Sequence, residues 1–307
     1  MPHSATSLPV TFFGRHCHFS AKALQALLQA GHRIDLVVVP GSAPGCRVVF
    51  DRSRGPRLSL SAPAPPPTVA ALAWSAGTSL VEVDRGELES LPRRFRSLSD
   101  GVGVAACFPW KLPPVVLDRP PMGMLNVHPS LLPAHRGSDP VFWTVRAGER
   151  VSGATVHRMT EELDAGPSLA QASFDVALRS RASDIESRAV DVGIRLLIDV
   201  LATLSANGDF HLPPAATSRS PLEPRPVEND LRLDTSWSAE RAFRFIYGAG
   251  PEYGPLTIDL PSGKELRVSD SVEFEPARML DCETAKADGH LRVQFADGVV
   301  TVVPCER

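Results

Sequence analysis

The apolar run from Ile34 to Val39 constrains this chain more than any other stretch. A strand covered on both faces reads as an unbroken apolar run, whereas a strand with one wet face alternates. Before it, Leu8 to Phe13 reads as a short strand. Ser20 then caps an amphipathic helix with Ala23, Leu24, Leu27 and Leu28 on one face, and Gly31 ends it. Strand, helix and buried strand form a βαβ unit, and that unit commits the chain to an α/β fold.

Further strands continue the pattern. Ser79 to Val83, Gly101 to Cys107, Gly123 to His128 and Gly153 to Met159 all read as strands, with a short helix over Val69 to Ala76. The fold class expected is a Rossmann-like open, mostly parallel sheet with helices on both faces. Between them, 40–67 is rich in Pro, Gly, Ser and Arg, as in a long surface loop. Arg47 to Phe50 and Leu58 to Leu60 are candidates there for a small hairpin. The longest helix runs from Ala182 to Asn207: Ser183 and Glu186 have capping-box spacing, and Ile185, Ala189, Val192 and Leu196 form an apolar stripe.

After Gly208 the sequence turns Pro-rich and loses periodicity, the signature of a linker. Beyond it, Ser238 to Tyr247 reads as a helix. Two hairpins follow, one turning at Ser262-Gly263 and the other at Asp297-Gly298. The expected division is therefore 1–208 as a first domain, 209–233 as linker and 234–307 as a small, mainly β domain. A length of 307 residues accommodates two cores.

Composition narrows the function classes. A net charge of −3 speaks against binding nucleic acid over the whole surface and leaves room for a local basic patch, such as Arg47, Arg52, Arg54 and Arg57 around the single acid Asp51. The five cysteines form no Cys-x-x-Cys pair, so neither a metal site nor a disulfide framework is expected. No leader-like segment and no run of about 18 apolar residues occurs, so a cytoplasmic protein with no membrane partner is expected.

The chemistry concentrates in Asn126-Val127-His128-Pro129-Ser130-Leu131-Leu132-Pro133. Residues two apart on a strand share a face, so Asn126 and His128 sit side by side at a strand's C-terminal end, where open α/β sheets place ligands. An amide donor suits an oxyanion, and an imidazole beside it takes or stabilises a proton. Acyl transfer needs both. Asp164, in Thr160-Glu161-Glu162-Leu163-Asp164-Ala165-Gly166, follows the next strand and can orient the ring, while Gly166 allows close approach of the loop backbone to a ligand.

In residue type, order and spacing, the Asn-x-His-Pro-Ser-Leu-Leu-Pro motif and the aspartate 36 residues after its histidine resemble the signature of the folate-dependent formyltransferase family. The resemblance implies transfer of a formyl group from 10-formyltetrahydrofolate to an amine, with Asn126 and His128 holding the tetrahedral oxyanion and Asp164 supporting His128. It implies a pterin pocket built from Phe108, Trp110 and Leu112, from Leu125 on the motif strand, and from Thr160, Glu161, Glu162 and Leu163. It implies acceptor contacts from Ser130, Arg136, Gly137 and Asp139, and a cis bond at Leu132-Pro133.

Asp234 to Glu240 and Arg136 to Pro140 are similar to methionyl-tRNA formyltransferases, whose appended domain is an OB-like β-barrel. Thr155-Val156-His157 and Glu161 to Pro167 are closer to the glycinamide ribonucleotide enzymes. The glycine-rich phosphate cradle of the latter is missing, since Gly14-Arg15-His16-Cys17-His18 stands in its place, and this speaks against a phosphoribosyl acceptor. Methionyl-tRNA is the acceptor favoured, with Arg219 and Arg225 adding to the basic loop. A small amine or amino sugar, hydrolysis of the folate, and an inactive folate- or tRNA-binding module are the alternatives. His157 reads as a structural or pocket-lining residue.

Overall fold

The computed structural model describes residues 7–50, 68–208, 220–287 and 289–305. The chain divides into two compact units: Met1–Arg136, Gly153–Ala172 and Ala189–Ser220 form the first, and Gly137–Ser152, Ser173–Arg188 and Pro221–Arg307 the second. This differs from a division at residue 208, because two internal segments count with the C-terminal part. Of the expected linker, 209–219 lies outside the described residues, and Arg219 with it.

The first unit is built on an eight-stranded sheet in the order β3-β4-β2-β1-β5-β6-β8-β9. In chain order the elements begin with β1 (Pro9–Phe13), α1 (His18–Gln29), β2 (Arg33–Pro40), β3 (Cys46–Phe50), α2 (Val69–Ser75), β4 (Ser79–Val83), α3 (Leu91–Arg94), β5 (Val102–Ala106), α4 (Pro114–Leu117) and β6 (Met124–His128). There follow the two-residue β7 (Arg136–Gly137), α5 (Pro140–Ala147), β8 (Val151–Arg158), β9 (Ser168–Asp175) and α6 (Ala182–Asn207). Strands β1, β2, β4, β5 and β6 pair in parallel. The edge strand β3 is antiparallel to β4, and β8 is antiparallel to β6.

Alternate residues of the central strands feed two separate cores, and this is why the strands read as apolar runs. Val37 and Val39 join Leu24 and Leu27 of α1, Ala73 of α2 and Leu197 and Leu201 of α6 on one face. Leu36 and Val38 join Leu91, Val116 and Leu117 on the other, under short helices. The sheet is covered on both sides, as expected. Among the described residues, no helix is long and apolar enough to cross a membrane.

Some local expectations need correction. Cys17, not Ser20, is the N-cap of α1. The Ser20 hydroxyl instead donates to the carbonyl of Ala106, at 2.7 Å. Ser183 lies inside α6, and its backbone N–H is taken by Glu252 rather than by a capping box. Cys46–Phe50 is a strand of the main sheet, whereas residues 58–60 and the loop arginines Arg52, Arg54 and Arg57 lie outside the described residues.

The second unit carries a six-stranded, mainly antiparallel sheet in the order β11-β12-β13-β16-β15-β14. Its elements are the two-residue β10 (Leu222–Glu223), β11 (Arg232–Asp234), α7 (Ala239–Tyr253), β12 (Leu256–Asp259), β13 (Glu265–Pro276), β14 (Thr284–Ala287), β15 (His290–Phe295) and β16 (Gly298–Pro304). Both expected hairpins form, β12 with β13 and β15 with β16. β11 joins in parallel to β12, and among the described residues no pairing links β14 back to β11. This is the small, mainly β domain that the sequence leads one to expect. Helix α7 runs past Tyr247 to Tyr253, and buried Phe142 of α5 meets Phe245 and Tyr253 edge-on, with centroids 5.8 and 4.9 Å away.

Candidate active site

Strand β6 ends at the C-terminal edge of the parallel sheet beside β5, with Ala105 opposite Asn126. On its other side β8 runs antiparallel and sets His157 directly opposite Asn126 and Thr155 opposite His128. Side chains of directly opposed residues share a face. Register therefore brings Asn126, His128 and His157 together, and the carboxamide nitrogen of Asn126 lies 3.1 Å from His157 Nε2.

Asp164 comes from the turn that follows β8. It holds a left-handed backbone conformation, with φ of 49°, which aspartate tolerates better than most residues. Its Oδ2 is 3.7 Å from His128 Nδ1, and its Oδ1 is 3.5 Å from His157 Nε2. Both separations are at or beyond the reach of a hydrogen bond, so the carboxylate acts on the rings through its charge. His128, His157 and Asp164 are all buried, whereas Asn126 is half-buried.

The loop after β6 is held by its own polar groups. His128 Nε2 lies 2.9 Å from the carbonyl of His135, itself in a left-handed conformation with φ of 55°. A carbonyl can only accept, so Nε2 carries the proton and Nδ1 presents a lone pair toward Asp164. Ser130 Oγ donates to the Ala134 carbonyl at 2.7 Å. Thr155 Oγ1 donates to the Ser130 carbonyl and accepts from the Leu132 N–H, at 2.7 and 3.1 Å. The Leu132-Pro133 bond is cis.

Several residues expected to contact ligand are spent on the protein. Arg136 is buried, and its guanidinium donates to the Leu163 carbonyl at 2.7 Å, to Glu162 at 2.9 Å and to the Ser220 carbonyl at 3.2 Å. It is a strut for the turn that presents Asp164. Buried Ser130 serves its own loop. Asp139 caps α5 and accepts from the Tyr253 hydroxyl at 2.9 Å, while Gly137 presses against the Glu223 backbone, where a Cβ would fall 2.1 Å from its carbonyl oxygen. Leu112 and Leu125 are sealed in the two cores, with 1% and 0% exposure.

Phe108 and Trp110 remain half-buried just past β5, with edge-on rings 5.7 Å apart. Thr160, Glu161 and Glu162 are exposed and Leu163 half-buried on the Asp164 turn. The close approach that Gly166 allows here is to the protein's own backbone. The Gly166 α-carbon packs on the Arg158 carbonyl, where a Cβ would sit 1.8 Å from the oxygen.

A half-buried amide donor and a buried proton acceptor beside a carboxylate, at the C-terminal ends of parallel strands, meet the requirements of acyl transfer to an amine. The formyl transferase family matches residues 10–201 of the sequence. The chain belongs to the formyltransferase family. This formyltransferase is 32% identical to methionyl-tRNA formyltransferase of Chloroflexus aurantiacus over 271 residues, 88% of this chain and 79% of that protein. It is 31% identical to the methionyl-tRNA formyltransferase of Phenylobacterium zucineum over 298 residues, 94% of this chain and 89% of that one.

In fold the enzyme is similar to an N-formyltransferase from Helicobacter canadensis in complex with folinic acid and dTDP-3-aminofucose. That match has a TM-score of 0.63 and 13% identity, covering 97% of this chain and 99% of that one. It is also similar to HypX from Aquifex aeolicus in complex with tetrahydrofolic acid, with a TM-score of 0.59, 18% identity and 97% of this chain covered. The chain spans 43% of the length of that HypX chain. At these identities the structural likeness carries the fold alone.

Electrostatics of the formyltransferase site give a testable pH dependence. Burial pushes the His128 imidazole below its ordinary 6.5, opposed by the charge of Asp164 and by the His135 carbonyl, and reinforced by His157 and His135. Below that pH the unfolded chain binds a proton that the folded one resists, so this group's contribution to stability is lost as pH falls. Between about pH 7 and pH 5, Tm is expected to drop more steeply for the wild type than for His128→Gln in scanning calorimetry. Parallel curves would mean that the buried ring is charged in the native state.

Proposed function

We propose that this enzyme transfers the formyl group of 10-formyltetrahydrofolate to the amine of methionyl-tRNA. The observation that carries the chemistry is the convergence of the Asn126 carboxamide, the His128 Nδ1 lone pair and the Asp164 carboxylate. The amine nitrogen attacks the formyl carbon, and the carbonyl oxygen becomes an oxyanion that the Asn126 N–H holds. His128 Nδ1 takes the proton that the amine sheds, and Asp164 stabilises the imidazolium so formed. Collapse of the intermediate breaks the bond from the formyl carbon to N10, and His128 returns the proton to that nitrogen. The products are a formamide and tetrahydrofolate.

The folate-bound neighbours support this donor, and Phe108, Trp110 and the 160–163 turn are the surfaces we assign to the pterin, since flat aromatic faces suit a flat heterocycle. The names of the relatives at 32% and 31% identity support the acceptor.

The test is a panel. Initiator methionyl-tRNA, dTDP-3-aminofucose and water alone are each offered with 10-formyltetrahydrofolate, and tetrahydrofolate release is followed with product mass. Formyl-methionyl-tRNA is expected. Its binding should weaken steeply with salt, and replacing Arg52, Arg54 and Arg57 together should flatten the log–log slope by about one unit for each phosphate left without its arginine. Turnover of the amino sugar alone, with no salt slope for tRNA, would replace the acceptor and keep the chemistry. Release with water alone would make the enzyme a hydrolase.

A further inference from the structure

His157 takes no part in the steps above, yet it is 1% exposed and touches the site's key donor. Its Nδ1 lies 3.1 Å from the Arg158 carbonyl, an atom that can only accept. Nδ1 therefore carries the proton, and in a neutral ring Nε2 is left as a lone pair. That lone pair faces the Asn126 carboxamide at 3.1 Å. Only the nitrogen end of the amide can satisfy it: turned over, the amide would set its oxygen against the lone pair.

Among the described residues the Asn126 carboxamide makes no other hydrogen bond to the protein. His157 alone decides which of its ends is the donor. An amide with its nitrogen at the reacting centre stabilises an oxyanion, and one with its oxygen there repels it. The setting adds a second constraint. His128 Nδ1 is also a lone pair, and both rings face Asp164, at 3.7 and 3.5 Å. Of the groups around His157 Nε2, the carboxylate has no hydrogen to give, and the Asn126 amide nitrogen at 3.1 Å is the donor.

We infer that His157 is a positioning residue of formyl transfer: through its Nε2 lone pair it fixes the Asn126 amide with nitrogen, not oxygen, toward the reacting carbonyl. The inference rests on the transfer chemistry proposed above. It acts through Asn126, so its effect belongs to kcat rather than to folate binding.

The experiment is a double-mutant cycle in the full chain, with 10-formyltetrahydrofolate and the acceptor that turns over in the panel, on His157→Leu, His157→Gln, Asn126→Ala and the Asn126→Ala/His157→Leu pair. His157→Leu is expected to lower kcat by about 10- to 100-fold with KM for the folate changed less than about threefold, because an oxyanion donor is worth about 10² to 10³. In the Asn126→Ala background the same change should cost less than about twofold, since the group it positions is gone. His157→Gln, whose Oε1 can accept, should recover most of the loss.

Full activity in His157→Leu, a cost that simply multiplies with that of Asn126→Ala, or failure of glutamine to rescue would each overturn the inference. An undiminished rate in Asn126→Ala would instead sink the transfer chemistry, and the inference with it. Should the leucine variant not fold, ring 15N spectra of the wild-type protein decide: a His157 protonated at Nδ1 upholds the assignment, and one protonated at Nε2 overturns it.

Discussion

Replacing His128 with alanine is expected to reduce kcat by about 10² to 10⁴ while the protein stays folded and still binds the folate. The magnitude follows from the proton that must leave the attacking amine. His128 Nδ1 is the lone pair placed to receive it, because Nε2 is already committed to the His135 carbonyl at 2.9 Å. Asp164→Asn tests the same step from the other side: it keeps the size of the side chain and removes the charge 3.7 Å from Nδ1. Its loss should be about 10² or more and should appear in kcat, since the charge is needed most when the ring becomes an imidazolium. Folding is to be checked by circular dichroism and folate affinity by equilibrium titration. Near-normal turnover in either variant would remove His128 and Asp164 from the proposed proton path.

The difference between these residues and His157 shows what a sequence can and cannot disclose about such a site. Asn126 and His128 are legible because strand periodicity alone puts residues two apart on one face. Asp164 is legible through its motif and spacing. His157 is equally visible in the sequence but reads there only as a structural or pocket-lining residue, since its partner is set by the antiparallel direction of β8 against β6, and a strand's direction is not written in its composition. Burial is hidden as well. Ser130, Arg136 and Asp139 are polar residues beside a reactive motif, and from sequence they look like ligand contacts. In the fold their donors and acceptors are consumed by Ala134, by Leu163 and Glu162, and by Tyr253.

Much of the fold is visible for a physical reason: the central strands are apolar on both faces and need no context to be recognised. Some of the omissions have a physical reason too. β11 and β14 are short, and no alternation can be read from so few residues. Helix α5 is absent from the expected elements although Asp139 and Pro140 carry the N-cap and first-turn signals of a helix start. Those two residues also belong to the segment that resembles an acceptor motif, and the two meanings compete for the same short stretch. The association of α5 with the C-terminal part is hidden for the same reason. A fragment ending near Gly208 would strip Phe142 of its packing against Phe245 and Tyr253, so folate binding is better measured on the full chain.

Gly166→Ala is expected to lower activity by about 10- to 100-fold without touching a catalytic group. The turn from β8 to β9 closes through the Arg158 N–H donating to the Pro167 carbonyl at 3.0 Å. Gly166 lies under that closure with no room for a side chain, since a Cβ would sit 1.8 Å from the Arg158 oxygen and 2.9 Å from its carbonyl carbon. Backbone atoms of a strand cannot step aside as a flexible side chain can, so the turn itself must move. Asp164 is two residues away and is also tied through the Leu163 carbonyl to buried Arg136, which resists the displacement. Part of the strain will therefore appear as lost stability and part as a shifted carboxylate. A misplacement of about 1 Å is enough to cost about 10² in rate. The expected result is a kcat lower by about 10- to 100-fold together with a Tm lower by several degrees, measured by folate turnover and calorimetry. Full activity with an unchanged Tm would show that the turn is slack, and that Asp164 is not held in place by its backbone.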